Sequence, residues 1–327
     1  MYRGEGETKH RGVLVITGPT ATGKTELGVR LALGLGGEVV SADAMQVYRG
    51  MVIGTAAPSA AECKGVPHHL IGTVDPRENY SAGRYVEEAS AAVEDILRRG
   101  RLPILVGGTN LYIDSLLRGI EFSDFDPALR ASLEKDYARL GGEAMLERLG
   151  SVDPERAAKL HPRDKKRILR ALEVYEATGE TITAHDEATR RTPPRFPSCR
   201  IALSFEARED LYRRIDARVD VMMAEGLTEE VRRLLDSGVP ADAQAMQGIG
   251  YKELIPVLRE GAPLDEAVEL IKRRSRNYAK RQLTWFRADK RIHWIAMPEG
   301  KTMEDAYGDM MGVLERARPE PEQTEEN

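Results

Sequence analysis

The chain has 327 residues, 41 % of them apolar, and carries 48 Lys and Arg against 53 Asp and Glu, a net charge of −5; that is enough for one large α/β domain with an insertion, or for two domains. No apolar run approaches the roughly 20 residues that span a bilayer, and the opening MYRGEGETKH has no signal-peptide stretch, so a cytoplasmic protein without membrane contact is expected. Cys63 and Cys199 stand far apart without CxxC or Cys/His spacing, which argues against a disulfide framework and against zinc.

Residues 13–17 form a β-branched apolar run that reads as a strand, followed by a Gly-containing loop and a helical pattern at Leu27, Leu31 and Leu35. Gly18-Pro19-Thr20-Ala21-Thr22-Gly23-Lys24-Thr25 between them satisfies GxxxxGK[ST] in the strand–loop–helix context that makes it a phosphate site. Backbone N–H groups can turn inward around phosphate oxygens there. The helix N-terminus and Lys24 add positive charge, and the Thr25 hydroxyl can ligate Mg2+. Such a loop serves ATP and any other diphosphate alike.

A second strand, 38–41, leads to Asp43, placed to take a proton from a nucleophile, to hold Mg2+, or to serve as an Asx-turn or cap. His68-His69 near Cys63 lacks further ligands at usable spacing and reads as structural. An amphipathic helix over 82–99 precedes a strand at 103–106 that ends in Gly107-Gly108-Thr109, where Thr109 either caps a helix or points a hydroxyl into the site. Alternating strands and helices predict a parallel sheet with helices on both faces and ligands at the carboxyl ends of the strands.

Residues 1–123 thus make the first part of a P-loop core. From 124 to 197 charged helical segments dominate, with start signals at Asp126-Pro127, Asp153-Pro154 and Pro162, and this reads as a helical insertion closed by Thr192-Pro193-Pro194-Arg195-Phe196-Pro197. The core returns over 198–316, with strands at 199–204 and 292–296, helices at 211–224, 229–235 and 264–287, and a Gly-punctuated loop at 247–251. Residues 317–327, rich in Pro and Glu, are expected to be disordered.

Between Lys272 and Arg291 stand nine Lys and Arg and one acid, Asp289. Lys272, Arg276 and Lys280 recur at i+4 as a stripe with no balancing acid among residues 272–288, a candidate track for RNA phosphates. Val268, Ile271, Tyr278 and Trp285 recur on another face, and Tyr278, Trp285 and Phe286 are expected in the core.

The segments GPTATGKT, SADAMQVYRGMVIGTA, ILVGGTNLY, HPRDKKRILRALEVY and AKRQLTWFR, in this order from about Gly12 to Trp294, together resemble the bacterial tRNA dimethylallyltransferase family. The resemblance implies a P-loop α/β fold with a helical insertion that contacts tRNA. It also implies transfer of dimethylallyl from dimethylallyl diphosphate to N6 of the adenine beside the anticodon, position 37. Gly18 to Thr25 would hold the diphosphate and Mg2+, Asp43 would be the general base, and Thr109 and Lys24 would stand at the reacting centre. Asp43, Ala44, Met45 and Gln46 would line the base pocket. Arg130 and Arg167 would touch the tRNA, with Thr109, Gln247, Gly250, Lys272, Arg276, Lys280, Arg281 and Gln282 completing its binding face. Thr22 stands where the family often has Ser, and no ligands for a C-terminal zinc finger are present, so a monomer without zinc is expected. A small-molecule P-loop kinase, an isopentenyltransferase on free adenine nucleotides, and a nucleotide-switched RNA-binding protein are the rivals. ATP consumption or activity on AMP separates the first two.

Overall fold

The structure, a computed structural model, describes residues 12–120, 122, 126–298 and 300–316; the expected disordered tail, 317–327, lies outside the described residues. The described residues divide into two compact units, one made of the segments up to residue 117 and from residue 196 on, the other of the segment between them.

The first unit opens with β1 (Val13–Thr17), α1 (Lys24–Leu35), β2 (Gly37–Ser41), α2 (Ala60–Cys63), β3 (His68–His69), α3 (Ala82–Arg98), β4 (Leu102–Val106) and α4 (Asn110–Arg118). The second unit holds α5 (Pro127–Val152), α6 (Pro154–Ala157), α7 (Lys165–Thr178) and α8 (Ile182–Arg191). The chain then returns through β5 (Ser198–Ser204), α9 (Arg208–Ala224), α10 (Leu227–Asp236), a 3-10 turn at Ala245–Gln247, α11 (Tyr251–Glu260), α12 (Leu264–Ala288), β6 (Ile292–Ala296) and α13 (Met303–Arg316).

Six strands form one parallel sheet in the order β3-β2-β4-β1-β5-β6. Every residue of β1, β2 and β4 is buried, as near-continuous apolar runs require when both sheet faces are covered. Leu14 and Ile16 pack with Leu27 and Leu31 of α1 and with Met310 and Leu314 of α13. Val15 and Leu105, which alternation turns the other way, are equally inaccessible, and α3 lies against β2 and β4. The five strands expected from sequence are present. β3 is the addition, too short at two residues to carry a pattern.

His68 and His69 belong to this edge strand. The His68 Nδ1–H donates to the Val66 carbonyl at 2.8 Å, and His69 Nε2 lies 2.8 Å from Glu38 Oε2. Glu38, 2 % exposed, also accepts from Arg99 at 2.9 Å. The Arg99 guanidinium, helped by His69, holds the Glu38 carboxyl down to about 2 against the desolvation that opposes it. A shift of that size is on the order of 3 kcal/mol, less the screening at half-exposed Arg99. Because the folded-state value is depressed, the contribution is complete above the ordinary value of 4.5 and is lost as pH falls towards 2. Glu38→Gln should therefore unfold at lower urea than its parent at pH 7, with a smaller gap at pH 3. An equal gap at both would dismiss the ion pair.

In the second unit, Asp126 accepts from the Ala128 and Leu129 amides at 2.8 and 3.2 Å, and Asp153 from Arg156 at 3.0 Å, so both Asp-Pro signals start helices. The third starts later than Pro162, at Lys165, while the Pro162 carbonyl accepts from the Tyr137 hydroxyl at 2.6 Å. Leu133, Met145, Leu149, Ile168, Leu169 and Leu172 form the unit's core, with α5 bent at Gly141.

Candidate active site

Three loops leave the carboxyl ends of β1, β2 and β4 and are stitched together by the sheet register. The Thr17 hydroxyl donates to the Gly107 carbonyl (3.0 Å), the Thr109 amide to Ala42 O (3.1 Å), and the Ala44 amide to the Thr109 hydroxyl (3.1 Å). The β1 loop carries the GxxxxGK[ST] sequence. Gly18 has φ +130, and a side chain there would meet the Leu203 carbonyl of β5 at 2.6 Å, so only glycine lets the loop cross β5 so closely. Helix α1 starts at Lys24 with Gly23 as its N-cap and no side-chain cap bond, which leaves its first-turn amides for an anion.

Later helices hold this loop in shape. The Gln282 carboxamide of α12 accepts from the Thr20 amide (3.0 Å) and donates to Gly108 O (2.9 Å), tying the β1 and β4 loops together. From α9, Arg214 Nε donates to Ala21 O at 3.2 Å, while the Thr22 hydroxyl donates to Pro19 O at 2.9 Å. Gln282 is thus a buried brace, and the Thr20 amide is taken.

Two cavities adjoin here. One, of about 330 Å3, is lined by the loop from Thr20 to Glu26 with Gln46, Gly107 and Gln282. The other, of about 380 Å3, is lined by apolar Met45, Ile215, Val219, Met222, Leu227 and Ile271. Thr20, Asp43, Thr55, Arg218 and Tyr278 line both. Asp43 therefore stands where a charged chamber meets an apolar one.

The Asp43 Oδ1 accepts from the Met45 amide at 2.8 Å and more weakly from Gln46 at 3.4 Å, so the Asx-turn reading holds. Its Oδ2 takes no hydrogen bond among the described residues. Turn and site coexist in one side chain. Lys24 Nζ donates to the Pro19 carbonyl at 2.6 Å. Desolvation inside the loop, then the nearby Arg218 guanidinium, push it down to about 7 against the pull of Asp43. Arg218 itself is lowered by burial, with Asp43 and Glu62 acting the other way, and makes no hydrogen bond or ion pair among the described residues. A guanidinium so desolvated, with no hydrogen bond of its own among the described residues, has the chemistry to pair with an anion.

Residues 46–289 match the IPP transferase family. The chain belongs to this family. It is 50 % identical over 287 residues to a tRNA dimethylallyltransferase of Geobacter sulfurreducens, covering 88 % of this chain and 92 % of the relative. With that of Desulforudis audaxviator it shares 48 % over 306 residues, 93 % and 98 % of the two chains. Among solved structures it resembles the full-length tRNA isopentenylpyrophosphate transferase of Bacillus halodurans (TM-score 0.69, 40 % identity, 94 % and 98 % covered). It also resembles a eukaryotic dimethylallyltransferase acting on tRNA (TM-score 0.80, 29 % identity, 96 % and 82 % covered).

As an IPP transferase, the chain keeps Ala44, Met45, Thr109, Gln247, Gly250 and Arg281 around the apolar cavity. Gln46 lines the charged one instead, its carboxamide donating to Thr55 O (3.3 Å) and Ala56 O (3.2 Å). Two of the three residues in the basic stripe of α12 are balanced: Lys272 pairs with Asp220 (2.7 Å) and Glu269 (3.4 Å), and Arg276 with Asp216 (2.5 Å). The α9 acids stand more than fifty residues away in sequence, hence their invisibility there. Lys280 is exposed and makes no ion pair among the described residues. Trp285 corrects the core expectation, being 60 % exposed, whereas Phe286 is buried at 1 %. In the second unit Arg130 pairs with Glu134 at 3.1 Å and Glu173 at 3.6 Å, while Arg167 is exposed.

Arg218 was missed by sequence reasoning, because RRIDARVDV reads as the charged face of a helix. Among the described residues there is no group of three or more His, Cys, Asp or Glu that could hold a metal, and no helix long and apolar enough to cross a membrane.

Proposed function

We propose that this chain transfers the dimethylallyl group of dimethylallyl diphosphate to N6 of the adenosine beside the anticodon, position 37 of tRNA, releasing diphosphate. The observation that carries the reading is the pair of adjoining cavities with Asp43 on their common border. A diphosphate suits Lys24, Arg218 and the free amides of α1, and an allylic chain and a base suit the apolar chamber. N6 forms its bond to C1 of the allyl group, the C1–O bond breaks with its electron pair leaving on diphosphate, and the N6 proton passes to Asp43 Oδ2. The amine lone pair is delocalised into the ring, so general-base help is required. Lys24 and Arg218 stabilise the charge that grows on the leaving group.

Thr25 lines the charged cavity, and its hydroxyl makes no hydrogen bond among the described residues, a fit for Mg2+ that draws its other oxygens from diphosphate and water. When bound there, Mg2+ supplies a Lewis acid that neutralises the leaving diphosphate.

A base inside an anticodon loop has to leave its stack to reach Asp43. Exposed Trp285, with Arg281 one turn before it on α12, offers a stacking face for such an RNA. Base–aromatic stacking is worth about 1–3 kcal/mol. Trp285→Ala should weaken anticodon stem-loop binding about tenfold by fluorescence anisotropy, with an unchanged salt slope, since no phosphate contact is lost. Parental affinity in the variant would make Trp285 a bystander.

Incubation with labelled dimethylallyl diphosphate, Mg2+ and unmodified tRNA, with AMP in a parallel tube, decides the reading after digestion to nucleosides. Label on a tRNA adenosine is expected. Label on AMP alone would make the chain a free-nucleotide enzyme, and ATP consumption without prenyl transfer would make it a kinase.

A further inference from the structure

The apolar cavity has a wall whose support comes from outside the site. Gly54 and Thr55 line it, and they belong to a stretch of backbone, from Met51 to Ala56, with no regular secondary structure. At one end this stretch is held by Gln46, through the carbonyls of Thr55 and Ala56. At the other it is held by a single carboxylate. Glu230, in the first turn of α10 and 2 % exposed, accepts the amides of Val52 (3.0 Å), Ile53 (2.8 Å) and Gly54 (3.1 Å), and also the Tyr251 hydroxyl (2.6 Å).

A buried carboxylate is costly unless its lone pairs are met, and here four donors meet them while no cation pairs with it among the described residues. Burial, and after it the Glu230 charge, hold the Tyr251 hydroxyl protonated, so it donates. The three anchored pieces each contribute to the lining of the cavity, beside residues of α9 and α12. Glu230 sits one turn from Leu227, Tyr251 follows Gly248-Ile249-Gly250, and all of these residues except Glu230 and Tyr251 line the apolar space with Gly54. Gly54 rests directly on the Tyr251 ring, where an added Cβ would come within 2.5 Å of ring carbon. Nothing in Glu230 reaches the cavity itself. Its influence runs through the backbone that it grips.

We propose that Glu230 is a positioning residue that sets donor specificity: by fixing Val52–Gly54 against α10 and Tyr251, it fixes the width of the apolar chamber and so the length of allylic chain the chamber admits. The inference rests on the prenyl-transfer reading above. Replacing the carboxylate with an amide turns one acceptor oxygen into an NH2 donor, which opposes the Gly54 amide in place of Oε1 or the Val52 and Ile53 amides in place of Oε2, and the wall has to give on that side.

The test is the ratio of kcat/KM for dimethylallyl diphosphate to that for the ten-carbon geranyl diphosphate, with the same tRNA. A fall in the amount of folded enzyme lowers both values equally and leaves the ratio alone. In Glu230→Gln the ratio should drop by about tenfold or more, the scale on which an apolar pocket discriminates chain length. Tyr251→Phe, which removes one of the four hydrogen bonds and no volume, should move it the same way by less, and it carries the test if Glu230→Gln does not fold. Ratios equal to the parent's in folded variants would overturn the proposal. A parent enzyme that labels tRNA with neither donor would instead overturn the prenyl-transfer reading on which it rests.

Discussion

Asp43→Asn should lower the single-turnover rate of prenyl transfer by about 10²- to 10⁴-fold, the usual worth of a positioned general base, while leaving the affinity for tRNA almost unchanged. Asparagine is the informative replacement because the side chain has two tasks on two oxygens. Oδ1 receives the Met45 amide and shapes the turn after β2, and an amide oxygen performs that task as well. Oδ2 faces no partner among the described residues, and there the amide nitrogen can accept no proton. Quench-flow with saturating substrates isolates the chemical step, and filter binding gives the tRNA affinity. Should rate and affinity fall together, Asp43 is a binding residue and the proton leaves by another route.

Lys24→Met should cost about 10²- to 10³-fold in kcat/KM for dimethylallyl diphosphate, the loss expected when one charged donor to a leaving group is removed. The same lysine sets a pH dependence whose sign follows from its surroundings. In the free protein it is pushed down to about 7 by desolvation and then by Arg218. A bound diphosphate favours the charged form and raises that value, so binding takes up a proton wherever the free enzyme has lost it. Affinity should therefore be highest below pH 7 and weaken above it, by up to about tenfold per pH unit for one linked proton. Lys24→Met should keep only the ligand's own titration, and Arg218→Gln should move the break to higher pH by removing one cause of the depression. Calorimetry of a non-hydrolysable diphosphate analogue from pH 6 to 9 reads all three. Identical profiles in the parent and in Lys24→Met would remove Lys24 as the source.

The loop after β1 and five of the six strands could be read from the chain because each rests on local chemistry. Apolar runs such as 13–17 are buried on both faces, and the glycines of Gly18 to Thr25 mark the turn between β1 and α1, although the braces of that loop come from α9 and α12. What escaped is what depends on distant partners. Arg218 looks like any helix-surface arginine until α9 packs beside the loop, and the acids that neutralise Lys272 and Arg276 lie on that same helix. Helical spacing assigned Trp285 to the core beside Phe286, yet adjacent residues on a helix point about 100° apart, and only one of them faces inward. Glu230 carried no signal, since three of its four partners are backbone amides and the fourth, the Tyr251 hydroxyl, lies 21 residues away.

The pairing of β1 with both β4 and β5 bears on how the molecule comes into being on the ribosome. β1 emerges before both of its neighbours, and the second of them follows only after all of α5 to α8 has been translated. Until then the central strand has one open edge, and the loop after it lacks the braces from α9 and α12. The helices of the second unit, whose contacts are local, form while the sheet waits. During that interval the nascent chain displays an apolar strand edge of the kind that chaperones cover, and a release of synthesis before β5 yields a product with neither a closed sheet nor a working phosphate loop.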